Sequence, residues 1–176
     1  MSGYPKSEFS KTATFEIAES LSELGKKSDA VAQYRKVIAG AARDPIAEKA
    51  YFQLGDLYKE EKNCREAGKN YEKLIELFPS SALRPAALYQ LAYCSLSLSD
   101  TALALKQYER VYTEFPSRDF AELAMFDQIT AMVAQNSDSD AKSVIGDYMI
   151  RYPNGRFRAE AERFLAKIDR KKSPSP

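Results

Sequence analysis

The residues that ordinarily perform chemistry are sparse in this chain of 176 residues, and one type is missing altogether, since it has 0 histidines. Without imidazole there is no Ser-His-Asp triad, no Cys-His dyad and no histidine metal ligand. The 7 glycines never fall into GxGxxG or GxxxxGK, so no loop is built to cradle phosphate. Glu60 and Glu61 are adjacent, and adjacent side chains diverge on a helix, so they read as solvated charges rather than an acid/base pair. Asp138 and Asp140 in "NSDSDAK" have the alternation of calcium ligands but lack the glycine and distal glutamate of an EF-hand loop. They read as turn and cap residues. Cys64 and Cys94 stand in no CxxC pattern and read as reduced, buried thiols, held too far apart by a helical hairpin to form a disulfide. No catalytic residue, metal or cofactor is therefore expected, and the chain reads as not an enzyme.

Binding is the remaining class of function, and the charge balance narrows it. With 26 basic and 25 acidic residues the net charge is +1, so no global field favours nucleic acid or an anionic membrane. The basic runs Lys26-Lys27 and Arg170-Lys171-Lys172 are short, and the second leads into a Pro/Ser tail that reads as disordered. No window reaches the roughly 18 apolar residues of a membrane span, so a membrane is expected only indirectly, through a complex. The first 25 residues lack the apolar core of a signal peptide, which leaves a cytoplasmic location open.

The elements that must carry a binding surface emerge when the sequence is slid along itself. Ala13, Ala50, Ala87, Ala124 and Ala161 recur every 37 residues, as do Ala30, Ala67, Ala104 and Ala141. Tyr34, Tyr71 and Tyr108 form a third column, which ends in Ile145, and Pro79, Pro116 and Pro153 a fourth. A period of that length marks units that cannot bury their apolar faces alone and so stack on one another. Apolar residues are spaced helically within each unit, as at Tyr71, Leu74, Ile75 and Phe78. Helix starts read at Asp44-Pro45, at Asn63 with Glu66, at Ser99-Asp100 and at Asp138. Helices are predicted near 8–24, 29–42, 45–61, 64–78, 84–98, 101–115, 119–135, 139–152 and 156–170. The alanine columns place small side chains where the two helices of a hairpin approach most closely.

These columns resemble the tetratricopeptide repeat. Its pattern of a large residue, Leu, Gly/Ala, Tyr, Ala, an aromatic and Pro falls on Tyr51, Leu54, Gly55, Tyr58, Ala67, Tyr71 and Pro79, and again on Leu88, Leu91, Ala92, Ser95, Ala104, Tyr108 and Pro116. The first unit keeps Ile17, Ala18, Leu21, Ala30 and Tyr34 but has Ala42 in place of proline. The fourth keeps Ala141 and Pro153 yet has Gln128 and Ile129 where Leu and Gly/Ala belong, which predicts a rotated or splayed first helix. The resemblance implies an all-α, right-handed superhelix of about four hairpins, with units at about 8–43, 44–80, 81–117 and 118–154, a capping helix at 155–170 and disordered ends at 1–7 and 171–176. The usual period of the family is about 34, so the three extra residues must lengthen the helices or the links after the prolines. The links "FPSSALRP" and "FPSRDFAE", and the ending "YPNGRFRAEAERFLAKI", are similar to a bacterial envelope subgroup that includes the Tol-Pal system coordinator and the lipoprotein of the outer-membrane beta-barrel assembly machinery. That similarity favours the periplasm or cell envelope.

In the family, first helices line a concave face that takes a partner segment, which implies a non-enzymatic adaptor or scaffold for a protein or peptide. The rival reading is an oligomerisation or spacer domain of a longer protein, with a homo-oligomer as its expected state. The inward column holds Phe15, Phe52, Tyr89 and Phe126, flanked by Glu19, Gln53, Asp56, Gln90, Tyr93 and Asp127. These aromatics either anchor a partner in the groove or pack against neighbouring units, and spacing alone leaves both open. The carboxylate-clamp subgroup uses Lys, Asn and Arg on this face, so a segment with apolar anchors and some basic character is the better fit.

Overall fold

The computed structural model describes residues 6–40, 42–117 and 120–172. These form the helices α1 (Lys6–Glu23), α2 (Lys27–Gly40), α3 (Pro45–Glu60), α4 (Cys64–Leu77), α5 (Arg84–Ser97), α6 (Thr101–Glu114), α7 (Phe120–Ala134), α8 (Asp138–Arg151) and α9 (Arg158–Lys172), with no strand among the described residues. Of the ends expected to be disordered, 1–5 and 173–176 lie outside the described residues, whereas Lys6 and Ser7 begin α1 and Lys171 and Lys172 close α9.

The helix boundaries follow local chemistry. The Asp44 carboxylate accepts the Ile46 N–H at 3.1 Å, Asn63 accepts the Glu66 N–H at 3.2 Å and Asp100 accepts the Leu103 N–H at 3.1 Å. Each satisfies an orphan donor of a first turn, which is the role read for these residues from the sequence. At the other ends, Gly25, Lys62, Ser99 and Asn136 all adopt positive φ, at 72°, 60°, 63° and 58°. They are spaced by the repeat period, and Gly25, Lys62 and Asn136 each let the chain reverse within three residues. The N–H groups of Lys26, Asn63 and Ser137, each one residue further on, reach back to the carbonyls of Leu21, Tyr58 and Met132 at 2.8–3.0 Å, closing the helix ends as Schellman motifs. Phe78, Phe115 and Tyr152 are C-caps directly before the proline column. The extra residues of the period take up the link that follows. There the N–H of Ser81 bonds the Phe78 carbonyl and that of Arg84 the Ser81 carbonyl, and Gly155 and Arg158 repeat the pattern.

The helices gather into two compact units, α1 to α5 and α6 to α9, with the division between Leu98 and Ser99. The hairpin predicted over 81–117 thus contributes one helix to each. In the first unit the core is built from Tyr34, Val37, Tyr51, Leu54, Tyr71, Leu74 and Leu91, with Ala30, Ala50, Ala67 and Ala87 fully buried among them. Alanine at these places allows backbones to approach to about 8–10 Å. Gly55 belongs to the same logic, because a β-carbon there would collide with the Tyr71 ring. In the second unit Tyr112, Met125, Ile129, Ile145, Tyr148 and Ile168 form the core. Gln128 is buried with them, its carbonyl oxygen accepting from the Tyr112 hydroxyl at 2.8 Å and its amide donating to the Leu105 carbonyl at 3.0 Å. The leucine expected at this column is thus replaced by an amide with a partner at each end. Ile129 is likewise fully buried, so α7 presents both residues to the core.

Candidate functional site

The inward column divides between core and surface when its residues are traced one by one. Phe15 on α1 is 5% exposed and meets Tyr34 edge-on, with ring centroids 5.4 Å apart. It is a core residue, and the expectation that it contacts a partner is corrected: the Tyr34 ring on α2 occupies its face. Phe52 on α3 is half-buried and edge-on to Tyr71 at 5.9 Å, and Tyr89 on α5 is half-buried. In the second unit Phe126 on α7 stacks on Phe157 at 4.4 Å, with Phe164 at 6.1 Å. The closing helix and its link therefore cover part of this ring, which stays half-buried, as Phe52 and Tyr89 do. Asp127 on the same helix is half-buried.

In the first unit, residues flanking the column form a connected polar surface across α3 and α5. Lys59 Nζ donates to Gln90 Oε1 at 2.9 Å and to Asp56 Oδ1 at 3.1 Å, and the Tyr71 hydroxyl donates to the same Asp56 oxygen at 2.8 Å. Burial, and then the adjacent Asp56 carboxylate, holds the Tyr71 hydroxyl protonated far above the ordinary phenol range. Tyr71 thus fixes Asp56, Asp56 fixes Lys59, and Lys59 ties α3 to α5. Gln53 is half-buried beside this network in sequence, and Tyr93, one turn beyond Gln90, is 49% exposed. On α1, Glu19 is half-buried and Glu16 exposed. Sequence reasoning missed Lys59; its signal was its place three residues after Asp56, on the same helix face.

The cysteines differ from expectation in one respect. Both are free and buried, but they are neighbours, because α4 packs on α5 and brings the Cys94 thiol next to that of Cys64. Burial first, and that contact second, push the Cys94 thiol well above its usual value, which leaves little reactive thiolate. Asp138 opens α8 with its carboxylate 3.3 Å from Lys171 Nζ.

With this geometry in place, the relatives decide the family. The tetratricopeptide repeat profile matches residues 12–39, 49–81 and 86–117. The chain belongs to the tetratricopeptide repeat family. Its fold is the all-α solenoid type of that family, and the fold serves protein–protein interaction as an adaptor or scaffold. The hairpin of α7 and α8, with Gln128 in the leucine column, lies outside the matched segments. Among solved structures, the chain is similar to YrrB, described as a tetratricopeptide repeat protein with an unusual peptide-binding site, at a TM-score of 0.68 and 21% identity over 90% of this chain and 76% of that one. It is also similar to MamA, at a TM-score of 0.69 and 14% identity over 98% of this chain and 100% of that one. At these identities the likeness establishes the fold alone. No curated protein sequence matches.

Proposed function

We propose that the tetratricopeptide units serve as a non-enzymatic adaptor that holds a segment of a partner protein against α3 and α5. The observation that carries this reading is the Lys59–Gln90 bridge, which makes one continuous surface of two first helices and leaves Tyr93 half exposed beside it. A half-exposed tyrosine next to pre-oriented polar groups is the composition of an interface hot spot, since its two side-chain torsions cost little entropy to order and its apolar face still gains from losing water. Asp56 and Gln53 give the surface hydrogen-bond acceptors, which suits a segment with an apolar anchor flanked by basic or amide groups. We further place this partner in a bacterial envelope assembly. That reading rests on the links Phe78-Pro79-Ser80, Phe115-Pro116-Ser117 and Tyr152-Pro153-Asn154, which resemble those of envelope members of the family.

The test is a peptide library drawn from bacterial envelope proteins, probed with the whole chain and then with Tyr93→Ala and Lys59→Ala. Bound peptides should lose about thirtyfold in affinity to each variant, as hot-spot truncation of about 2 kcal/mol requires, with the melting temperature unchanged for Tyr93→Ala. Lys69→Ala, on an exposed face of α4, is the control. Binding that ignores both substitutions would end the proposal, and self-association with no bound peptide would make the chain an oligomerisation or spacer domain.

A further inference from the structure

Cys64 opens α4 and Cys94 stands in the last turn of α5, so most of both helices separates them in the chain. The packing brings them together. A β-carbon placed on Gly68, one turn after Cys64, would stand 3.5 Å from Cδ1 of Leu91, about one turn before Cys94. The short link 78–83 turns α5 back along α4, and helices running in opposite directions that touch at Gly68 and Leu91 must also face each other one turn outward, at Cys64 and Cys94. The two thiols are neighbours there, and the buried Tyr71 hydroxyl lies within electrostatic reach of both.

The repeat shows what this position does elsewhere. The first residue of the second helices is Lys27, Cys64, Thr101 and Asp138 in turn. Lys27 pairs with Glu60 of α3 at 2.9 Å and Asp138 with Lys171 of α9 at 3.3 Å, so in both hairpins it ties a second helix to the first helix that follows. Cys64 can make no such ion pair, but it has a thiol opposite. We infer that Cys64 and Cys94 are a disulfide-forming pair, which exchanges with a small-molecule disulfide to tie α4 covalently to α5. Cys64, 8% exposed against 1% for Cys94, is the sulfur that meets the reagent. Its thiolate attacks one sulfur of the oxidant and expels the first small thiol, leaving a mixed disulfide. The Cys94 thiolate then attacks the Cys64 sulfur and expels the second, so two protein thiols are oxidised, one small disulfide is reduced to two thiols, and these carry away both protons. Burial keeps the Cys94 thiol protonated above its usual range, which makes the closing step slow. The pairing does not depend on what the surface of α3 and α5 holds, although α5 carries Gln90 and Tyr93 and would be fixed on α4 by the bridge.

The test is to incubate the folded whole chain with glutathione disulfide well below its melting temperature, quench with acid, alkylate under denaturing conditions and measure the intact mass. Expected is a monomer about 2 Da lighter than the reduced chain, with no alkylated cysteine, no retained glutathione and unchanged helical circular dichroism. Its melting temperature should rise by about 5–10 °C, because the bridge closes a long loop of the unfolded chain, and should fall back on reduction. Cys64→Ala and Cys94→Ala, each checked for folding by its own melt, should gain nothing from the same treatment. A folded parent that keeps both thiols, holds glutathione on either one, or links two copies overturns the inference. So does a bridge that fails to raise the melting temperature, since α4 and α5 would then have to leave their places to make it.

Discussion

The ring of Tyr71 fills the space that a side chain on residue 55 would occupy, and the Tyr71 hydroxyl then reaches Asp56 at 2.8 Å. One tyrosine on α4 thereby closes the hairpin core and orients the surface carboxylate next to Gly55. Gly55→Ala should destabilise the fold by about 1–3 kcal/mol through overpacking, with a slightly better helix propensity offsetting part of it. Urea titration measures this, and an unchanged midpoint would mean that the two helices separate without cost.

The buried amide of Gln128 gives a second expectation. Tyr112→Phe removes the donor and leaves Gln128 Oε1 without that bond, at a cost of about 1–3 kcal/mol. Gln128→Leu combined with Tyr112→Phe should recover part of the loss, since removing both partners is less damaging than removing one. A double-mutant cycle checks it, and a coupling energy near zero would refute the pairing.

Among the left-handed turn residues, Lys62 has a side chain that disfavours its φ of 60°, whereas Gly25 at 72° has none. Lys62→Gly should stabilise by roughly 0.5 kcal/mol, the relief of about 1–2 kcal/mol being offset in part by the greater freedom of unfolded glycine. Gly25→Ala should cost about 1 kcal/mol. Thermal melts of the two variants should move in opposite directions.

Alkali should unfold the protein through its tyrosines. Burial first, then the charges of Glu19 and Glu23, push Tyr34 up to about 12, and burial first, then Glu109, pushes Tyr112 up to about 12. In both, the folded state keeps its proton after the unfolded chain, with a pKa near 10, has lost it. Their contribution is therefore fully present below pH about 10 and is lost as pH rises towards 12, on the order of 2–3 kcal/mol for each group. Tyrosinate absorbance for these residues should appear together with the loss of helical circular dichroism, and ionisation in a folded protein at pH near 10 would contradict it.

The sequence made the helices legible because their signals are local. Asp44, Asn63 and Asp100 are caps in the structure for the reason they are caps in a peptide, and the alanine and proline columns register the hairpins without reference to anything distant. The turns were less legible, since Lys62 and Ser99 adopt positive φ without being glycine, held there by the bonds around them rather than by their own preference. At the candidate site the column of Phe15, Phe52, Tyr89 and Phe126 was visible, but its division between core and surface was not. Phe15 is buried against Tyr34 of the next helix and Phe126 is partly covered by Phe157, both contacts set by how helices pack rather than by local sequence. The nearness of Cys64 and Cys94 escaped for the same reason, because it depends on how α4 meets α5.

A chain of near-interchangeable hairpins faces a hazard while it folds, since a first helix can settle on the wrong second helix and find it almost as good. Gln128 shares its column with Leu54 and Leu91, and Tyr112 shares its own with Ile38 and Ile75. Seated against α2 or α4, α7 would turn its amide oxygen towards isoleucine and leave that oxygen without a donor, at a cost of about 1–3 kcal/mol. Only α6 offers, at that column, the phenol that donates to it. The departure from the repeat at Gln128 therefore works as an address, written into one helix and readable by one partner, that keeps the order of the units from being shuffled.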